Sequence, residues 1–160
     1  MLLGGCPMIH ALLEKAFGSL TCPTPAELRA ALESLPISLE TISPYVPEPE
    51  DLPYGRKVLF ATEHVEIVLI VLPPDKESAA HNHGHSFGWE WILAGDLTNV
   101  IYSLDEEGRV VRPEKSVTVH AGDFCYVAPG EIHAIRNQGE TPVVSINAYT
   151  PPLCDCQQYK

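Results

Sequence analysis

Apolar positions along the chain change period near residue 54. Before that point, Leu28, Ala31, Leu32 and Leu35 recur at three- and four-residue spacing, the stripe of an amphipathic helix. Thr24-Pro25-Ala26-Glu27 supplies a capping box with proline at the first helical position, so a helix is expected over about 25 to 35. Residues 36 to 53 interleave prolines with acidic and apolar residues, which suits an extended segment wrapped on the outside of a fold, with no regular structure expected. From Arg56 onward the texture becomes short runs rich in β-branched and aromatic residues, over 65–72, 89–94, 97–104, 116–120, 124–128 and 143–149, separated by Gly, Pro, Asp and Glu. Strands of that length and spacing predict an all-β fold, a closed antiparallel barrel with a short N-terminal helical extension. No internal repeat or low-complexity tract interrupts it. The expected organisation is a flank over 1–53 belonging to the same domain as a barrel over 54–160.

Composition narrows the picture. A chain of 160 residues that is 45% hydrophobic and 19% charged can bury the core of one globular domain. Fifteen prolines and eleven glycines, spread along the chain, punctuate many short elements. The net charge of -11 repels phosphate backbones and anionic lipid surfaces, so neither nucleic acid nor membrane is an expected partner. No apolar run reaches the roughly 20 residues that span a bilayer. Leu3-Gly4-Gly5-Cys6 has the form of a lipoprotein cleavage box, but the two residues before it are too few for a signal. Five cysteines (Cys6, Cys22, Cys125, Cys154 and Cys156), without CxxC spacing, suggest neither a disulfide framework nor a structural zinc site, and a reducing cytoplasm is the expected setting.

The chemistry begins at His81-Asn82-His83. One intervening residue on a strand sends both imidazoles to the same face, where they can meet one metal ion. Gly95 follows twelve residues after His83, and Gly122-Asp123, Gly130, His133 and Asn137 recur further on. In these positions the sequence resembles the cupin superfamily, whose first motif pairs HxH with a downstream glycine and whose second supplies a third histidine. The resemblance implies a cupin, or jelly-roll, barrel with His81, His83 and His133 as metal ligands. Pro129 stands one place later than the usual proline, at which Ala128 sits. The glutamate that normally completes the first motif is absent, because Phe87 and Gly88 occupy its positions. Glu90, two residues on, shares the inward face of Gly88 by strand alternation and could be a distant ligand or a polar pocket residue; a charge at the barrel mouth is the expected role. His85, beyond Gly84, is expected in the pocket or on the surface, and His10, His64 and His120 are expected to be ordinary.

Three neutral imidazoles leave the charge of a divalent cation uncompensated, and the site therefore favours an anionic ligand from the substrate, such as a thiolate. Iron(II) would then hold sulfur and dioxygen as neighbours, so that positioning is the main contribution. Over residues 54 to 153 the chain resembles the cysteine dioxygenases more narrowly: Tyr54-Gly55-Arg56 before the barrel, the HxH, His133, and Ser145-Ile146-Asn147-Ala148-Tyr149-Thr150-Pro151-Pro152. The resemblance implies an iron(II)-dependent dioxygenase that converts L-cysteine and O2 to cysteine sulfinate, working on a small thiol; the sequence does not give the oligomeric state, and a monomer is the expectation. Arg56 would clamp the substrate carboxylate, Tyr54 and Tyr149 would bind substrate, Tyr149 would hydrogen-bond to oxygen or sulfur, and Ser145 and Asn147 would support it from the same strand. Two departures stand out. Gly88 occupies the place of the cysteine that animal members crosslink to the tyrosine, as bacterial members also have it, and Asn147 replaces the histidine of a Ser-His-Tyr relay. Another thiol acid such as 3-mercaptopropionate is an alternative substrate, with Arg56 arguing for cysteine. A metal-binding cupin that senses or stores a small ligand is the alternative from another class.

Overall fold

In the computed structural model, which describes residues 7–159, three short helices precede ten strands. The strands form two five-stranded antiparallel sheets. One has the order β1 (Gly55–Ala61), β2 (Glu66–Leu72), β9 (Val143–Thr150), β4 (Phe87–Ala94) and β7 (Phe124–Val127). The other runs β10 (Gln158–Tyr159), β3 (Ala80–His81), β8 (Ile132–Arg136), β5 (Asp96–Leu104) and β6 (Val110–His120). Together they enclose an interior in the jelly-roll manner, as the strand spacing predicts. The box at Leu3 to Cys6 lies outside the described residues, and among the described residues no helix is long and apolar enough to cross a membrane.

β2 reads Ile67-Val68-Leu69-Ile70-Val71-Leu72 without polar alternation because both of its faces are buried. Val68, Ile70 and Leu72 point into the interior with Ile92, Leu97, Ile135 and Tyr149. Ile67, Leu69 and Val71 point outward, beneath Leu13 and Phe17 of α1 (Pro7–Phe17) and Leu28 and Leu32 of α2 (Pro25–Glu33). Those four helical side chains are fully buried, and each such burial contributes about 1.5–3 kcal/mol, so the flank is stabilised by the sheet it covers. On the outer face of β4, Trp89 donates from its indole to the carbonyl of Pro25 at 2.8 Å, while Arg29 of α2 lies 5.0 Å from the Trp89 ring.

The capping box forms as expected: the amide of Glu27 donates to Thr24 Oγ1 and that of Thr24 donates to Glu27 Oε1, both at 3.2 Å. Helix α2 ends at Glu33, two residues short of expectation, where the Ser34 amide closes onto Ala30. Several elements go beyond the sequence reading, among them β8 and β10. Helix α1 carries its stripe at Ile9, Leu13 and Phe17. The proline-rich stretch, expected to be irregular, contains α3 (Leu39–Ile42) and a 3-10 turn over Ser43–Tyr45; Ser38 and Thr41 cap α3 reciprocally, which compensates for its brevity. Strand β1 was hidden by Arg56 and Lys57, which an edge strand exposes.

Candidate metal centre and cavity

His81 on β3 lies opposite His133 on β8, and Ile101 on β5 lies opposite His133 on its other side, so the sheet register places the third histidine beside the first. Asn82 intervenes, and His83, beyond the end of β3, sets its ring centroid 4.9 Å from that of His81 and 5.1 Å from that of His133. One ring nitrogen from each of His81, His83 and His133 lies within 4.8 Å of the others. His81 Nδ1 donates to the carbonyl of Ala79 at 2.8 Å and His133 Nδ1 donates to Asn99 Oδ1 at 2.9 Å, so in both rings Nε2 carries the free lone pair. His133 Nε2 and His83 Nδ1 are buried without a partner. Three converging imidazoles, two of them with orphaned buried nitrogens and two oriented by outer hydrogen bonds, fit a single divalent transition-metal ion.

Burial holds all three imidazoles neutral, the state that binds metal. Desolvation lowers His81 against the opposing bond to Ala79, pushes His83 down to about 3 with help from His81 and Arg56, and lowers His133 well below the ordinary range. Below about pH 6.5 the unfolded chain therefore binds protons that the folded chain refuses, and stability falls as pH falls toward 3. Glu90 acts in the opposite sense, because burial pushes its carboxyl up to about 7 against the hydrogen bond from Asn99. Three imidazoles outweigh one carboxyl. The metal-free protein is expected to melt at a lower temperature at pH 5 than at pH 7, and Glu90→Gln to steepen that loss; a flat profile measured by calorimetry would contradict the neutral triad.

A cavity of about 400 Å³ opens on the triad. Its walls include Tyr54 and Arg56 at the start of β1, Val68 and Ile70 of β2, Glu90 of β4, Ile135 of β8, and Asn147 and Tyr149 of β9. The Tyr149 ring centroid lies 4.9 Å from that of His83. Asn147 Nδ2 donates to the Tyr149 hydroxyl at 3.2 Å, which leaves the phenolic proton to be donated elsewhere. Burial, then the charge of Glu90, raises the phenol above its ordinary range, so Tyr149 remains a donor across the working pH range. Arg56 Nη2 donates to Glu66 Oε2 at 3.1 Å. A bidentate clamp needs two of the five guanidinium N–H groups, so Glu66 orients Arg56 without exhausting it.

The structure therefore gathers His81, His83, His133, Tyr54, Arg56, Asn147 and Tyr149 around one space. Ser145 is buried on the same strand, opposite Ile70 and Ile92, but does not line the cavity. His85 is exposed, at the surface. Glu90 requires a correction: it is not a charge at the barrel mouth but a wholly buried side chain, 2% exposed, because β4 turns Gly88, Glu90 and Ile92 inward and its outer face belongs to the tryptophans. Gly88 packs on the Tyr149 strand so closely that a Cβ would run into the carbonyl oxygen of Ala148 and approach Tyr149 Cδ1 to 2.7 Å, so the position has no space for a side chain.

Two features escaped sequence reasoning. Asn99, an amide inside a strand read only as apolar filling, is 2% exposed and bridges Glu90 to His133; its signal was a polar side chain within a strand otherwise rich in apolar residues. The second is the wall formed by Leu153, Cys154, Asp155, Cys156 and Gln158. This segment is strapped to the histidine motif: the Asn82 amide donates to the Gln157 carbonyl at 2.9 Å, Asn82 Oδ1 accepts from the Gln157 amide at 3.1 Å, and Asn82 Nδ2 donates to the Tyr159 hydroxyl at 3.1 Å.

Comparison with known proteins agrees with this arrangement. A double-stranded β-helix protein from Klebsiella pneumoniae shares the fold, with a TM-score of 0.62 at 20% identity over 74% of this chain and 94% of its own. An oxalate oxidase solved with the substrate analogue glycolate superposes with a TM-score of 0.58 at 17% identity, over 71% of this chain and 60% of its own. An oxalate-binding protein of Thermotoga maritima is 34% identical over 70 residues, 44% of this chain and 49% of that protein, so the match spans about half the length of the curated relative. The fold is that of the cupins. Residues 53–160, which include all three histidines, Arg56 and Tyr149, match the family described as cysteine dioxygenase type I, and the chain belongs to that family.

Proposed function

We propose that the protein is an iron(II)-dependent thiol dioxygenase whose substrate is L-cysteine and whose product is cysteine sulfinate, both atoms of O2 being added to sulfur. The observation that carries this reading is that Arg56 lines the same cavity as the three histidines. His81, His83 and His133 would hold the iron, which when bound would supply a common site for the thiolate and for dioxygen. Arg56, kept in place by Glu66, would take the substrate carboxylate as a bidentate pair. Tyr54 would close the wall beside it. Tyr149, with its proton kept and its oxygen already accepting from Asn147, would donate a hydrogen bond into the cavity. The apolar faces of Val68, Ile70, Ile135 and Leu153 would limit water around the reacting groups.

Oxygen uptake by the iron-loaded protein with a panel of small thiols tests the reading. L-Cysteine is expected to be consumed at least about 10-fold faster than cysteamine, which lacks the carboxylate that the remaining N–H groups of Arg56 would take as a charge-assisted pair. Arg56→Ala should remove most of that preference. Similar rates with both thiols in the unaltered protein would take Arg56 out of the substrate site. A faster rate with 3-mercaptopropionate would move the substrate to thiol acids without an amine, and no uptake with any thiol at full iron occupancy would leave a metal-binding cupin without this chemistry.

A further inference from the structure

Glu90 and Asn99 are buried polar groups that the proposed reaction does not use. They form a line that ends on a metal ligand: Asn99 Nδ2 donates to Glu90 Oε1 at 2.8 Å, and Asn99 Oδ1 accepts from His133 Nδ1 at 2.9 Å. Cys125 Sγ accepts a further contact from the same Nδ2 at 3.2 Å. The three side chains come from β4, β5 and β8, so the line crosses between the two sheets.

An asparagine amide is nearly symmetric in shape and opposite in chemistry at its two ends. With Oδ1 toward His133, the imidazole keeps its proton on Nδ1 and offers the Nε2 lone pair. Rotated by 180°, the amide would set Nδ2 against His133, drawing the proton to Nε2 and removing the lone pair that a metal needs. It would also set Oδ1 against Glu90, which when ionised offers only acceptors, so that acceptor would face acceptor between two buried side chains. Glu90 therefore selects the orientation of Asn99, and Asn99 selects the tautomer of His133.

We infer that Glu90 and Asn99 are positioning residues that lock His133 in the metal-binding tautomer. This rests on the three-histidine metal centre and not on thiol oxidation, so it stands or falls independently of the substrate. It also explains why a carboxylate is kept in the interior without reaching the metal.

Zinc(II) serves as a redox-silent probe, with its affinity measured by competition against a chelator and the His133 tautomer read from imidazole nitrogen shifts in the metal-free protein at neutral pH. The unaltered protein is expected to carry its proton on Nδ1. Asn99→Leu and Glu90→Met should each mix the tautomers and weaken zinc by about 10- to 100-fold, the range for losing an outer partner of a ligand. Glu90→Gln keeps an acceptor for Asn99 but adds an N–H donor that can meet a rotated amide, so it should fall between the unaltered protein and Glu90→Met in both tautomer and zinc affinity. A proton on Nε2 in the unaltered protein would overturn the inference, and that measurement needs no variant to fold. A greater loss in Glu90→Gln than in Glu90→Met would overturn it too, because the acceptor offered to Asn99 would then not be what matters. So would unchanged zinc affinity in Glu90→Met.

Discussion

Replacing His133 by alanine is expected to empty the metal site, with metal affinity lowered by more than about 100-fold, beyond the loss usual for outer partners. The ligand is lost, and the carbonyl of Asn99 is left buried without its donor, which costs about 1–3 kcal/mol of stability in addition. His81→Ala and His83→Ala should have the same effect on metal content, since each removes one of three nitrogens within 4.8 Å of one another. His85→Ala should not, because that ring is exposed. Metal content by elemental analysis, together with the rise in melting temperature on adding metal, checks all four variants; binding to the folded state alone raises stability with the logarithm of the metal concentration above its dissociation constant, and that rise should vanish in the three ligand variants. If His85→Ala empties the site while His83→Ala keeps its metal, the ligand set is wrong.

Tyr149→Phe is expected to lower the turnover of L-cysteine by about 10- to 1000-fold while metal content is unchanged, the range for losing one positioned hydrogen-bond donor. The ring and its contact with His83 remain, and only the hydroxyl that accepts from Asn147 is removed. Rates measured across the pH range with the iron-loaded protein give a second readout. Asn147 does not ionise, so the profile should lack a limb from an imidazole relay, and Asn147→His should introduce one near neutrality. An unchanged rate in Tyr149→Phe at full occupancy would reduce this strand to a wall of the barrel.

The parts of this molecule that could be read in advance are those in which local pattern and tertiary role coincide. The buried run of β2, the capping box at Thr24 and the spacing of His81 and His83 each declare themselves within a few residues. What stayed hidden depends on partners distant in sequence. β1 is missing from the runs read as strands, since Arg56 and Lys57 open it on an exposed edge, and the short α3 owes its form to two hydroxyls closing on one another. Glu90 was assigned to the mouth because an isolated carboxylate in a strand belongs in water unless something satisfies it. Asn99, nine residues later and on the opposite sheet, does so, and nothing in either local sequence announces the pairing.

Asn82, placed between two of the proposed ligands and bonded to Gln157 and Tyr159, would make the strap and a bound metal two ends of one equilibrium. Whatever order an ion imposes on His81 and His83 passes through their shared neighbour to residues 157–159, and reciprocity requires that the strap return the same free energy to the ion. A contact that lifts Tyr159 from Asn82 would thus loosen the metal without touching a ligand, and a filled site would hold closed the wall on which Cys154 and Cys156 stand.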